Sequence, residues 1–281
     1  VPLIERKGKP ALHYRVDDFT DPWKNAPTIL LQHGFGRSSQ FWYSWVPYLS
    51  RFYKVVRPDL RGLGLSPVDF NPATDITVEN YLDDMTALLD ALGLESVHYC
   101  GESFGGILGM VLAAEHPARV RTLSLVSAPV SLNQKHQETF AVGFKSREDA
   151  LRSIGAVKWA ALTNGTTRFP PGTAPGLLDW YANEMGKSDV EVMCGLYGLL
   201  RHASALSFLP KIKAPVLGLY PTGGPITSRE QEEQLAAGIP QMKFVHVPTA
   251  FHSVLTLLPA TCATQVLHFA AAHDGTACRE Q

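Results

Sequence analysis

The chain has 281 residues and is 45% hydrophobic, enough for one large domain or a domain with an insertion. Its net charge is −1 and its basic residues are scattered, which argues against a nucleic-acid partner. No apolar run reaches the length of a membrane span, so no membrane partner is expected either.

The chain opens at Val1 without a methionine, which leaves room for an upstream piece, and its first residues lack the order of a signal peptide. Cys100, Cys194, Cys262 and Cys278 are widely spaced and suit a reduced, cytoplasmic setting. His98, His116, His136, His202 and His268 have no metal-ligand spacing. No metal and no cofactor is expected, and the partner is a small-molecule substrate. Nothing sets the oligomeric state.

Residues 3–6 and 11–16 read as short strands, and Thr28 to Gln32 as a strand buried on both faces that ends in His33-Gly34-Phe35-Gly36. A helix over 39–50 follows, bent or interrupted at Pro47. Tyr53 to Arg57 is a strand, and residues 78–92 have helical periodicity with Gly93 as C-cap. Val97 to Cys100 is a strand, Gly101-Glu102-Ser103-Phe104-Gly105 a GxSxG turn, and 107–114 a packed helix. Arg121 to Val126 is a further strand. From 130 to 208 the chain is helical in pieces, with Gly/Thr/Pro breaks at 164–167 and 170–172. Alternation then resumes: strand 215–220, helix 228–238, strand 243–247, helix 253–272, and a polar tail from Asp274 expected to fray.

Strands alternating with helices predict an α/β fold, a mainly parallel sheet with helices on both faces. Residues 1–129 and 209–281 form its core. Residues 130–208 are an insertion over the C-terminal edge of the sheet, where such folds bind ligands.

A GxSxG between strand and helix carries chemistry that a bare GxSxG does not. The turn is sharp enough to demand small residues two before and two after the serine, and Gly101 and Gly105 meet that demand. Ser103 then projects its hydroxyl at a helix N-terminus, where negative charge is favoured. Two backbone amides are needed to hold an oxyanion: Phe104, which follows the serine, and Phe35 in the glycine-flanked loop after the third strand. A general base is expected after the last strand, and His252 stands there. His246 lies inside the strand and is better explained by packing or pairing.

With these motifs in this order, the chain resembles the α/β-hydrolase family over essentially its whole length. The residues that carry the resemblance are His33-Gly34, Asp59-Leu60-Arg61-Gly62-Leu63-Gly64-Leu65-Ser66, Gly101 to Gly106 and His252. The match is to capped esterases, enol-lactonases and C–C bond hydrolases. It implies an eight-stranded sheet with a helical cap, Ser103 as nucleophile and His252 as base, and fold-supporting roles for Asp59 and Arg61.

One departure concerns the acid that orients the histidine. Gly224 stands at the family's usual acid position and Ser127 at its alternative, so neither site holds a carboxylate. Ser127 is a candidate neutral substitute. Other routes are a carboxylate reaching in from Glu138, Glu148, Asp179, Glu184, Glu230 or Glu232, an acid removed by substitution, or a Ser–His dyad. Glu102 is expected to point away from the serine and to serve the fold.

Trp42, Trp159, Trp180 and Tyr181 are candidates to line a substrate pocket. Arg37, Arg147, Arg152, Arg168 and Arg201 read as isolated, solvated charges. Together these predict a hydrolase for a hydrophobic or aromatic ester or lactone. Alternatives on the same fold are a C–C bond hydrolase, a lyase, a cofactor-free oxygenase, and a non-catalytic ligand receptor.

Overall fold

The computed structural model describes residues 2–132, 140–224, 226–276 and 278. Its strands are β1 (Leu3–Arg6), β2 (Lys9–Asp17), β3 (Thr28–Gln32), β4 (Lys54–Pro58), β5 (Val97–Glu102), β6 (Val120–Val126), β7 (Val216–Pro221) and β8 (Lys243–Val247). They form one eight-stranded sheet in the order β1-β2-β4-β3-β5-β6-β7-β8. β1 and β2 pair antiparallel with their neighbours, and the rest of the sheet is parallel.

Burial explains the strand sequences. β3 and β5 lie side by side in the middle of the sheet, and every residue of both is buried. A strand covered on both faces has no polar side to alternate with, so it reads as a continuous run. At the edge, β8 is mostly half-exposed or exposed and mixes polar with apolar residues.

The helices follow the same logic. α1 (Val46–Leu49) comes after a 3₁₀ turn at Ser39–Trp42, so the expected helix over 39–50 is two pieces with Pro47 starting the second. α2 (Val78–Ala91) is capped by Thr77, whose hydroxyl accepts from Asn80 N–H at 3.1 Å, and buries Tyr81, Leu82, Met85, Leu88 and Leu89. α3 (Phe104–Glu115) is buried from Phe104 through Ala113. Its near-absence of polar residues fits a helix packed against β5 and β6.

Between β6 and β7 the chain forms α4 (Arg147–Thr163), a π-turn at Asn164–Arg168, α5 (Pro175–Met185) and α6 (Val190–Leu200). After β7 come α7 (Arg229–Gly238), β8, α8 (Val254–Leu257) and α9 (Pro259–Asp274). Pro259 opens α9, so the single helix expected over 253–272 is also two.

The tail does not begin at Asp274. Its carboxylate accepts from Tyr53 Oη at 3.0 Å and pairs with His98 and Arg121, closing α9 onto the bottom of the sheet. Among the described residues no helix is long and apolar enough to cross a membrane.

Candidate active site

β5 stops at Glu102 and α3 starts at Phe104, so the reversal falls on Ser103 alone. Its φ of 52° and ψ of −118° lie where a residue with a Cβ is strained, at a cost of order 1–3 kcal/mol. The surroundings hold it there. Ser103 N–H donates to Val126 O at 3.0 Å, while Gly106 and Ile107 N–H donate back to Ser103 O. The glycines permit the close approach: a Cβ on Gly105 would lie 2.5 Å from Gln32 O, and one on Gly101 would lie 2.4 Å from Gly105 O. Ser103 Oγ is 3.1 Å from His252 Nε2.

His252 sits in the loop between β8 and α8, and that loop is fastened by the insertion. His252 N–H donates to Thr167 O at 2.8 Å, and Ser253 N–H donates to Arg168 O at 3.4 Å. Trp45 Nε1–H holds the next turn through Leu255 O at 2.9 Å. His246 pairs instead with Glu232 at 2.7 Å, on the outside of β8.

The loop after β3 lies against the serine, since a Cβ on Gly34 would be 3.0 Å from Ser103 Cβ. His33 shapes this loop. Leu60 N–H donates to His33 Nε2 at 2.9 Å, so the ring proton is on Nδ1 and donates to Gly34 O, also at 2.9 Å. Burial drives the imidazole pKa down to about 4, which keeps this neutral tautomer. Among the described residues the amides of Phe35 and Phe104 make no hydrogen bond. Both border the serine and are available to an oxyanion. Asp59 fixes the neighbouring loops by accepting from His13 at 2.6 Å, from Leu65 N–H at 2.9 Å and from Ser39 N–H, and Arg61 pairs with Asp84.

The two acid positions behave differently from a triad. Gly224 has a φ of 135°, and a Cβ there would lie 2.8 Å from Ala250 O, so the loop is closed to a side chain. Ser127 is fully buried with a φ of 47°, and among the described residues its Oγ makes no hydrogen bond, the imidazole included. Glu148 pairs with Arg201, Glu184 with Lys187 and Glu232 with His246, and Asp179 and Glu230 are exposed. Glu138, like His136, lies outside the described residues.

Glu102 corrects the sequence reading. Its carboxylate does not point away from the site; Oε1 is 3.5 Å from His252 Nε2. Glu102, the last strand residue, faces the loop of Gly34 and Arg37, and the positive φ at Ser103 leaves the serine Cβ close to Gly34 as well. Arg37 donates to Glu102 Oε2, to Tyr181 Oη at 2.8 Å and to Ser253 Oγ at 3.5 Å. Burial raises the Glu102 pKa, and Arg37 opposes that rise. Burial likewise works against the Arg37 charge, but Glu102 and Tyr181 outweigh it and push its pKa up.

A cavity of about 50 Å³ begins at Ser103 and His252. Ile107, Leu132, Phe140 and Leu200 give it an apolar wall. The four aromatic residues expected to line it do not. Trp42 is buried against Trp45, and Trp180 packs on Phe41 and Tyr43. Trp159 stands behind Phe35 and Tyr197, and Tyr181 holds Arg37. These rings are the packing between insertion and core, the usual fate of large apolar side chains.

The arginines correct the reading in the opposite direction. Arg152 and Arg201 are surface residues paired with Glu191 and Glu148. Arg37, Arg147 and Arg168 are 4%, 2% and 5% exposed, and all three line the cavity. Arg147 lies over the Tyr197 ring, 3.6 Å from its centroid, and its Nη2 has no hydrogen bond among the described residues. Arg168 faces the Trp159, Phe140 and Tyr181 rings and donates to Thr163 Oγ1 and Asn164 Oδ1. Burial lowers the pKa of both.

Burying an unpaired charge costs several kcal/mol, and each cation–π contact returns about 0.5–2 kcal/mol. These arginines carry little sequence signal. Arg37 directly follows the loop after β3 and Arg168 closes the Gly/Thr break at 164–167, but nothing local tells a buried arginine from a solvated one.

Comparison with known proteins agrees with this architecture. A family model for the alpha/beta hydrolase fold matches residues 27–161. The putative carbamate hydrolase RutD of Agrobacterium fabrum is 27% identical over 277 residues, covering 94% of this chain and 100% of that one. The putative carbamate hydrolase RutD of Stutzerimonas stutzeri is 30% identical over 139 residues, and the match spans 50% of this chain and 51% of the relative. Among solved structures, the enol-lactonase from Burkholderia xenovorans LB400 superposes with a TM-score of 0.84 at 26% identity, covering 96% of this chain and 99% of that one. Strand order, serine turn and relatives agree: the chain has the α/β-hydrolase fold, and an enol-lactonase is among the structures it resembles.

Proposed function

We propose that the protein is a serine hydrolase that cleaves a carboxylic ester or lactone. The observation that carries this reading is the 3.1 Å contact between Ser103 Oγ, on a strained strand-to-helix turn, and His252 Nε2. Ser103 Oγ attacks the carbonyl carbon while His252 Nε2 takes its proton. The carbonyl oxygen becomes an oxyanion and accepts from the Phe35 and Phe104 amides, each worth about 3–4 kcal/mol in comparable sites. Collapse breaks the bond to the leaving oxygen, which takes the proton from His252. Water, deprotonated by His252, then releases the acyl group and regenerates Ser103.

Glu102 has a part in this cycle. When His252 is protonated, its Nε2 edge lies 3.5 Å from a carboxylate that Arg37 holds in place. That charge favours the imidazolium from the serine side of the ring, whereas an acid at 224 or 127 would act from elsewhere. Residues 130–208 form the cap on a core of 1–129 and 209–281. The cap also fastens the base through Thr167 and Arg168. Carbamates, named for the relatives, present the same kind of carbonyl and are a second substrate class for this mechanism.

Labelling with a fluorophosphonate tests the reading. Covalent modification of Ser103, abolished in Ser103→Ala and strongly slowed in His252→Ala, is expected. Failure to label Ser103 in folded protein overturns the nucleophile assignment.

A further inference from the structure

Tyr181 belongs to the insertion, yet its hydroxyl ends among the groups that surround the base. α5 carries the ring inward, and it is fully buried. Phe41 of the core and Phe169 of the insertion each meet it edge to face, with centroids 4.9 Å away at 85° and 88°. Packing of this kind fixes where the phenol points. Its oxygen accepts from Arg37 Nε at 2.8 Å. A phenol also has one proton to donate, and Ser253 Oγ lies 3.4 Å away to receive it. Ser253 is the residue after His252.

Arg37 passes the constraint on. A guanidinium is a rigid planar fork, so anchoring Nε fixes the direction of the other nitrogens. Nη1 donates to Glu102 Oε2, and Glu102 Oε1 is 3.5 Å from His252 Nε2. Without the phenol oxygen, Arg37 Nε–H would be a buried donor in search of an acceptor, and the fork would turn away from Glu102.

Resting on the hydrolase reading, we infer that Tyr181 is a positioning residue: its hydroxyl aims Arg37, Arg37 holds Glu102, and Glu102 supports His252 when it is protonated. The insertion then supplies part of the support of the base without touching substrate, since Tyr181 does not line the cavity at Ser103. The other titratable groups around the imidazole are Arg168 from the π-turn, Arg147 and Tyr197 across the cavity, and neutral His33 near Arg37. Removing one hydroxyl leaves the charges of all of them as they are.

Tyr181→Phe tests this, because it keeps the ring on Phe41 and Phe169 and removes only the oxygen. On an activated ester, kcat is expected to fall by about 10-fold with KM within about 2-fold of wild type. Weaker support of the imidazolium lowers the His252 pKa, so the acid limb of kcat/KM is expected to move down by about half a pH unit. Ser253→Ala removes the other partner of the phenol and is expected to lower kcat by about 3-fold. Added to Glu102→Gln, Tyr181→Phe is expected to cost no further kcat, since the hydroxyl acts through that carboxylate. Wild-type kcat and an unmoved acid limb in folded Tyr181→Phe overturn the inference. So does a raised KM at unchanged kcat, which would make Tyr181 a substrate contact, and so does an equal loss of kcat in the Glu102→Gln background. Fluorophosphonate labelling of wild-type Ser103 is read in parallel. Its absence sinks the hydrolase reading, whereas labelling with an unaffected Tyr181→Phe sinks the role of Tyr181 alone.

Discussion

The serine turn and the histidine loop meet at a 3.1 Å contact, yet they are built by different means. Ser103 is held by its own neighbourhood: the strand before it, the helix after it, and glycines that let the backbones close. His252 is held from a distance, by Thr167 and Arg168 of the insertion and by a carboxylate in the next-door turn. The placement of the Ser103 hydroxyl is a local property of the chain, while the surroundings of His252 are a tertiary property.

The largest effects fall on both regions equally. Ser103→Ala and His252→Ala are each expected to lower kcat/KM by at least about 10⁴-fold, with little further loss in the double variant, because the two act as one unit. Steady-state rates on an activated ester check this. Strict additivity would mean that serine and histidine work independently and that the contact between them is incidental.

Glu102→Gln sharpens the comparison, because Glu102 belongs to the serine turn by sequence and to the histidine by geometry. The substitution leaves Arg37 buried without its partner, and breaking such a pair costs about 3–5 kcal/mol. Urea unfolding measures the loss, and Arg37→Met in the same chain is expected to recover much of it. Turnover of the Gln variant is expected to fall as well, through the weakened imidazolium. Full activity in the folded double variant would reduce Glu102 to a purely structural residue.

The same contrast explains what the sequence reveals. The sheet, the serine turn and the position of His252 are legible because each rests on a short-range rule: an apolar run, a glycine at fixed spacing, a histidine after the last strand. The alternation of strands and helices places the insertion by the same token. The cavity wall is not legible. Arg147 opens a helix and Arg168 closes a π-turn, and only the meeting of α4, α6 and the core buries them. Trp42, Trp159, Trp180 and Tyr181 err the other way, since a large ring in a cap is equally fit for a pocket or for packing. Glu102 is misread because only the fold brings the loop of Gly34 and Arg37 against its carboxylate.

Acid tests the loop after β3. His33 is neutral in the fold, its pKa lowered by burial to about 4 from an ordinary 6.5. Between those values the unfolded chain binds a proton that the folded chain does not. The stability carried by neutral His33 is complete above about pH 6.5 and is lost as the pH falls toward 4, by about 3 kcal/mol. Urea unfolding across that range is expected to show the slope in wild type and a shallower one in His33→Gln. Identical slopes would separate the serine side from this histidine.

Gly224→Asp is the smallest change and the sharpest test of the histidine side. If the base lacked only a carboxylate at the family's usual position, supplying one there would speed turnover. The loop argues against that outcome. Gly224 holds a φ of 135°, and a Cβ would lie 2.8 Å from Ala250 O, two residues before His252. An aspartate fits only if the backbone shifts, at about 1–3 kcal/mol, and the shift falls on the segment that carries the base. The expected result is a lower melting temperature with no gain in kcat. A clear gain in kcat at unchanged stability would mean that the loop re-forms around an acid, and that the electrostatic support of His252 does not depend on the Arg37–Glu102 pair.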